Sequence, residues 1–209
     1  MEISLSRLHF PVTSLGPGKR IGIWTQGCSI RCKGCMSPDT WRPTQQRIAI
    51  NTLMTQLTPW LTKADGITIS GGEPFDQPEA LYTLLKSLRR HFSGDILVFS
   101  GYEYRILKTR LQTMVGLIDV LVSGPYRQEA TQALRLRGSD NQELHLLTSL
   151  GRQLYHSYHL PLEKTDKVLD LALDAQGRIF IAGIPEKGDM ERFRDLLIQG
   201  DHQVTQIKK

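Results

Sequence analysis

Cysteine is scarce in this chain: of 209 residues only Cys28, Cys32 and Cys35 are cysteines. An odd number crowded into eight positions excludes a disulfide framework, because the short separations would pair neighbours on one loop. Structural zinc normally takes four protein ligands, usually as two close pairs. Here no fourth cysteine exists, and the nearest histidines, His9 and His91, lie well outside the stretch. A catalytic zinc on three thiolates stays conceivable, but the spacing favours an iron–sulfur cluster, which takes thiolates readily. Long apolar runs are missing too, so no membrane-spanning helix is expected. The start, Met1-Glu-Ile-Ser, lacks a basic-then-apolar signal pattern, and unpaired thiols fit a reducing cytoplasm. Aromatic residues are few, 7%, and do not interleave with the basic ones, which argues against nucleic-acid binding.

What is present is ordinary for a globular chain: 40% hydrophobic and 22% charged residues, in a length that fits one domain or one with an appendage. The net charge of +5 is unevenly spread. Residues 1–60 carry Arg7, Lys19, Arg20, Arg31, Lys33, Arg42 and Arg47 against Glu2 and Asp39, which accounts for the whole excess. Such a field is either a solvated surface or a steering patch for an acidic electron donor such as a flavodoxin.

Two extended runs, 2–10 and 20–26, flank Gly16-Pro-Gly18, a turn by composition, and the second feeds the cysteine stretch. Ile50, Leu53, Met54, Leu57 and Leu61 recur at helical spacing, and Pro59 is expected to break or restart that helix. Residues 66–70 form a short apolar strand ending at Gly71-Gly-Glu-Pro74. Pro78 opens a helix with Ala80, Leu81, Leu84, Leu85, Leu88 and Phe92 as its buried stripe. Strands at 95–99 and 116–122 enclose a helix near 103–112. Strands alternating with helices imply an α/β fold with parallel pairing, as an incomplete β/α barrel or a curved open sheet. Beyond residue 150 the runs 167–173 and 178–184, separated by Asp174-Ala-Gln-Gly177, read as a β-hairpin. Asp189 is expected to cap a last helix with Met190, Phe193, Leu196 and Leu197 inward and Gly200 as its stop.

The cysteines are spaced C-x3-C-x2-C, and the residues around them form a series: Leu15-Gly-Pro-Gly-Lys-Arg20, Ile21-Gly-Ile-Trp-Thr-Gln-Gly27, Met36-Ser-Pro-Asp-Thr-Trp41, Ile69-Ser-Gly-Gly-Glu-Pro74, Ser100-Gly-Tyr102, Asp119-Val-Leu-Val-Ser-Gly-Pro125 and Arg137-Gly-Ser-Asp-Asn-Gln142. In this order the series resembles the radical S-adenosylmethionine (SAM) superfamily and, within it, the small activases of glycyl radical enzymes. It covers about residues 8–145. The resemblance implies an incomplete (β/α) barrel over residues 1–150, with a hairpin and helix, 151–209, as an added extension packed on it.

It further implies a [4Fe-4S] cluster on Cys28, Cys32 and Cys35, with no catalytic residue beyond these ligands, and SAM bound at the iron left without a protein ligand. SAM contacts are expected from Gly34 and Met36 beside the last cysteine, from Gly71, Gly72 and Glu73, and from Ser100 and Gly101. Two glycines would let backbone approach a ligand closely. Arg137, Asn141 and Gln142 either fix the nucleoside or anchor their own loop, and Trp24, Trp41 and Trp60 are expected to be core or lid residues. Met36 stands where the superfamily commonly has an aromatic, and Glu73 where the small activases often carry aspartate; both leave cluster and SAM binding intact and bear instead on which reductase is the partner.

The function so implied is reductive cleavage of SAM to a 5′-deoxyadenosyl radical that activates a glycyl radical enzyme such as anaerobic ribonucleotide reductase. A radical SAM enzyme acting on another peptide or protein, and a non-enzymatic electron carrier or sensor, are the alternatives. The carrier reading accounts for the cysteines and leaves the Gly-Gly-Glu-Pro loop unexplained.

Overall fold

Four short segments that are buried at nearly every position make the centre of the protein, and their lack of polar alternation is what parallel strands covered on both faces require. The computed structural model describes the chain except residues 164, 165, 167, 168, 174–178, 187 and 201–209. In chain order the elements are β1 (Glu2–Ile3), β2 (Leu5–Val12), β3 (Arg20–Thr25), β4 (Ile48–Ala49), α1 (Ile50–Leu61), β5 (Gly66–Gly71), α2 (Pro78–His91), β6 (Asp95–Ser100), α3 (Tyr104–Thr113), β7 (Val120–Ser123), β8 (Glu143–Leu146), α4 (Ser149–Tyr155), β9 (Leu169–Leu173), β10 (Ile179–Gly183) and α5 (Asp189–Gln199). The main sheet runs β2-β3-β5-β6-β7-β8. Pairings from β3 to β7 are parallel, whereas the outer strands β2 and β8 join antiparallel.

Alternation along each strand divides the core. Ile21, Ile23, Ile67, Ile69, Ile96, Val98 and Leu121 pack with the buried stripes of α1 and α2, including Leu53, Leu57, Leu81, Leu84 and Leu88. Leu97, Val120 and Val122 form a second cluster with Leu136 and Tyr155. A third joins Val12, Leu15 and Trp24 to Ala182, with Phe180 and Ile184 packed against it. The segment after α4 therefore lies against the sheet. Asp170 accepts from the amides and hydroxyls of Thr13 and Ser14 at 2.6–2.8 Å, and Phe180 meets Trp24 edge-on at 5.2 Å.

Below the sheet sits a buried ion pair. The Arg20 guanidinium, at 0% exposure, donates to both Asp95 oxygens at 2.7 and 2.9 Å, to Thr68 Oγ1 and to the Ile67 carbonyl, and Tyr155 donates to Asp95 at 2.6 Å. Every polar atom there has a partner, which is the condition under which a buried charge is tolerated.

Several expectations need correction. Pro59 does not break α1, because only two helical residues follow it and the Lys63 and Ala64 amides close on the Trp60 carbonyl. Arg20 belongs to the core rather than to a basic surface, and Arg7 is paired with Asp39. Asp189 is the first helical residue of α5, with Gly188 as its cap, and accepts from the Glu186 amide. No residue of α5 is fully buried: Met190, Phe193 and Leu197 are half-buried, whereas Leu196 is 65% exposed and does not face inward. Lys167, Arg178 and the Asp174–Gly177 turn lie outside the described residues. Among the described residues no helix is long and apolar enough to cross a membrane.

Candidate functional site at the carboxyl ends of the strands

Parallel pairing brings the strand ends level. Thr25 is opposite Gly71, and Ser100 opposite Ser123, so the cysteine loop, the Gly-Gly-Glu loop, the Ser-Gly-Tyr loop and the segment after Ser123 emerge along one edge. That is the place where open α/β sheets bind ligands.

The cysteine loop is fixed at both ends. Gly27 donates to the Thr40 carbonyl at 2.8 Å and Cys28 to the Trp41 carbonyl at 3.1 Å, so a 3-10 turn at Pro38–Thr40 closes the loop on itself. Within it, the Cys35 amide reaches the Cys32 carbonyl at 3.1 Å. Gly34 and Arg31 both sit at positive φ, 80° and 51°. Glycine adopts this region freely, whereas at Arg31 it is a local strain held by the surrounding loop.

All three thiols are free and half-buried. The Ser37 amide donates to the Cys35 sulfur at 3.4 Å, and the amides of Ile30 and Arg31 lie near enough to Cys28, and that of Tyr126 to Cys32, to favour their thiolates. Burial pushes the Cys28 and Cys32 thiols up, the amides pull them down, and the charge of Cys35 pushes both up again. Three soft ligands that repel one another as thiolates, each with an amide donor, form a donor set that fits an iron–sulfur cluster, whose potential such N–H···S bonds tune. Among the described residues, no three Cys, His, Asp or Glu side chains are drawn together to share a single metal ion. A polynuclear cluster makes no such demand, since each thiolate binds a different iron.

Gly71 and Gly72 turn out to serve the protein's own backbone. Gly71 has φ 110°, and a side chain on it would strike the backbone of Thr25; one on Gly72 would strike the Gly27 carbonyl. Without those side chains, Gly72 donates to the Thr25 carbonyl at 2.9 Å and Glu73 to that of Gly27 at 2.8 Å. The Gly-Gly-Glu loop is thus sewn to the residue preceding Cys28.

Glu73, Ser100 and Gly101 are brought together, but bonded to each other. The Glu73 carboxyl is 1% exposed and accepts from the Phe75 amide, the Ser100 hydroxyl and the Gly101 amide at 2.9, 2.9 and 2.7 Å. Burial raises its pKa to about 7, against the lowering effect of those three donors. Ser100 is itself buried, and Ile30 of the cysteine loop packs against Gly101. Gly34 lies beside Tyr126 and Gln128, and Met36 is 45% exposed. Asn141 donates to the Pro125 carbonyl, while Gln142 accepts from the Gly138 amide and donates to Gly124, which makes both of them loop anchors.

One participant has no counterpart in the sequence reading. Asp76, in the short turn after Pro74, accepts from the Ser29 amide at 2.7 Å, the Ser29 hydroxyl at 2.9 Å and the Tyr102 hydroxyl at 2.8 Å. Its only signal in the sequence is its place three residues after Glu73, since the partners lie 47 and 26 residues away.

Residues 14–145 match the family model described as a 4Fe-4S single cluster domain. The anaerobic ribonucleoside-triphosphate reductase-activating protein of Vibrio cholerae is 33% identical over 152 residues, covering 67% of this chain and 96% of that protein. The protein of the same name from Enterobacteria phage T4 is 30% identical over 62% of this chain and 85% of its own length. The pyruvate formate-lyase-activating enzyme of Staphylococcus aureus is 34% identical over 62% of this chain and 55% of that enzyme.

Proposed function

Because this chain belongs to the 4Fe-4S single cluster domain family and to the radical SAM activases, we propose that it activates a glycyl radical enzyme, with anaerobic ribonucleoside-triphosphate reductase as the partner. The observation that carries the reading is the donor set: three free thiols on one loop, each with an amide donor, stitched to a Gly-Gly-Glu loop at the carboxyl ends of parallel strands. A relative bearing that partner's name, matched over 96% of its length, supports it.

In this reading Cys28, Cys32 and Cys35 hold three irons of a [4Fe-4S] cluster. When bound, the cluster would supply the electron for reductive cleavage of SAM, the chemistry by which a glycine of the partner would be activated. The chain's own residues orient and enclose. Carbonyl groups of the Gly71-Gly72-Glu73 loop would receive the SAM amino group. Gly71 lets the loop turn back onto the cysteine loop, and Glu73 sets the spacing between that loop and Ser100-Gly101. Ser100 and Gly101 border the carboxylate or ribose, and Gly34 and Met36 flank the adenine side, where methionine offers a polarizable contact.

The remaining parts follow from the same reading. The sheet is the wall of an incomplete barrel over residues 1–150, and the hairpin and helix of 151–209 are an extension packed on it. The chain works in the cytoplasm. Exposed Arg31, Lys33, Arg42 and Arg47 steer a flavodoxin-like electron donor, and such docking weakens with salt because the Debye length is only about 8 Å at physiological ionic strength.

The test is electron paramagnetic resonance of the reduced protein with SAM and an anaerobic reductase. A glycyl doublet that appears only when both proteins are present is the expected result. SAM cleavage with no glycyl signal would favour a different peptide or protein substrate.

A further inference from the structure

We propose that Asp76 is a positioning residue for the cluster: by capturing Ser29 it turns the following backbone N–H groups onto the Cys28 sulfur. The inference rests on Cys28 being a cluster ligand, as argued above.

The geometry is that of a helix start without a helix. Among the described residues, the amides of residues 29, 30 and 31 have no backbone carbonyl partner, as at a helix N-terminus. A carboxylate from a different loop takes the first: Asp76 Oδ2 lies 2.7 Å from the Ser29 nitrogen. Its other oxygen takes the Ser29 hydroxyl at 2.9 Å, so the residue after Cys28 is gripped at backbone and side chain together. With Ser29 held outward, the Ile30 and Arg31 amides that follow it lie on the Cys28 side of the turn, near enough to favour its thiolate. Arg31 is left at φ 51°, and its Nε donates back to the Cys28 carbonyl at 3.3 Å. Tyr102 completes the clamp, its hydroxyl 2.8 Å from Asp76 Oδ1 and 2.9 Å from Ser29 Oγ. Three loops thus converge on one exposed carboxylate.

Amide donors to a cluster sulfur stabilise the reduced, more negative state and so raise its potential. Loss of the Asp76 charge would also raise it, but an exposed carboxylate is heavily screened. Orientation should therefore win. Asp76→Ala frees the turn and weakens the donors. Asp76→Asn removes the charge yet keeps an acceptor for the Ser29 amide and a donor that both hydroxyls can accept.

The experiment is a redox titration of the reconstituted full chain by electron paramagnetic resonance, with iron and sulfide content measured on each variant. Asp76→Ala is expected to lower the reduced-to-oxidised ratio at fixed poise about tenfold, which is 59 mV for a one-electron couple. Asp76→Asn and Ser29→Ala should stay within about twofold of the parent, because both keep the amide grip. A parent-like ratio in Asp76→Ala with a full cluster, or Asp76→Asn moving to higher potential than the parent, overturns the proposal. If the unmodified chain itself assembles no iron–sulfur cluster, the reading beneath fails and this inference falls with it.

Discussion

At Glu73, a carboxyl group offered by the sequence as a ligand contact is held under its loop by three donors, with burial raising its pKa to about 7. A group protonated more readily folded than unfolded contributes stability that is complete below its unfolded value, near 4.5, and lost as pH rises through about 7. The span corresponds to roughly 3 kcal/mol. Urea unfolding of the metal-free chain at pH 5 and pH 8 should show the parent losing more stability over that interval than Glu73→Gln does. Equal losses would mean that Glu73 is ionised when buried. The motif was legible here, while the packing role of its glycines was not. Gly71-Gly-Glu reads as a cradle for a ligand, yet the close approach its glycines permit is that of Thr25 and Gly27. Asp76 was invisible for a related reason, because its partners come from loops that only the sheet brings near.

Among elements, strands were easiest to read where apolar runs are continuous, as in β3, β5 and β6, since burial on both faces leaves little room for another pattern. The helix over 78–91 was equally plain from its stripe, which is buried as expected. Charge was read least well. Arg20 counts as surface in any tally of sequence charge, but its guanidinium pins β3 to β6, with Asp95 and Tyr155 completing the network. Removing one member of a satisfied buried pair strands the other, at about 3–5 kcal/mol. Asp95→Ala should lower the unfolding free energy by that much, seen as a lower chemical-denaturation midpoint at an unchanged slope. A loss below about 1 kcal/mol would show that water reaches Arg20 freely.

At the scale of the whole molecule, the portion beyond α4 sets this chain apart from the family match, which ends at residue 145. Phe180 and Ala182 cover Trp24, Val12 and Leu15, and Asp170 binds the Thr13–Ser14 turn, whereas α5 buries none of its own residues. Its packing was not legible because hairpin alternation names a face without naming what that face meets. Deleting 159–209 keeps α4 and should expose this cluster, giving binding of a hydrophobic dye and a lower melting temperature. A truncated chain that binds no dye and melts like the parent would instead point to a recognition role for the tail. Above these details stands the claim that three thiolates hold a redox centre that cleaves SAM. The most direct measurement is iron, sulfide and 5′-deoxyadenosine in one anaerobic preparation treated with dithionite and SAM. About four irons and four sulfides per chain with deoxyadenosine formed is the predicted result; stoichiometric zinc without sulfide, or a full cluster that yields no deoxyadenosine, contradicts it.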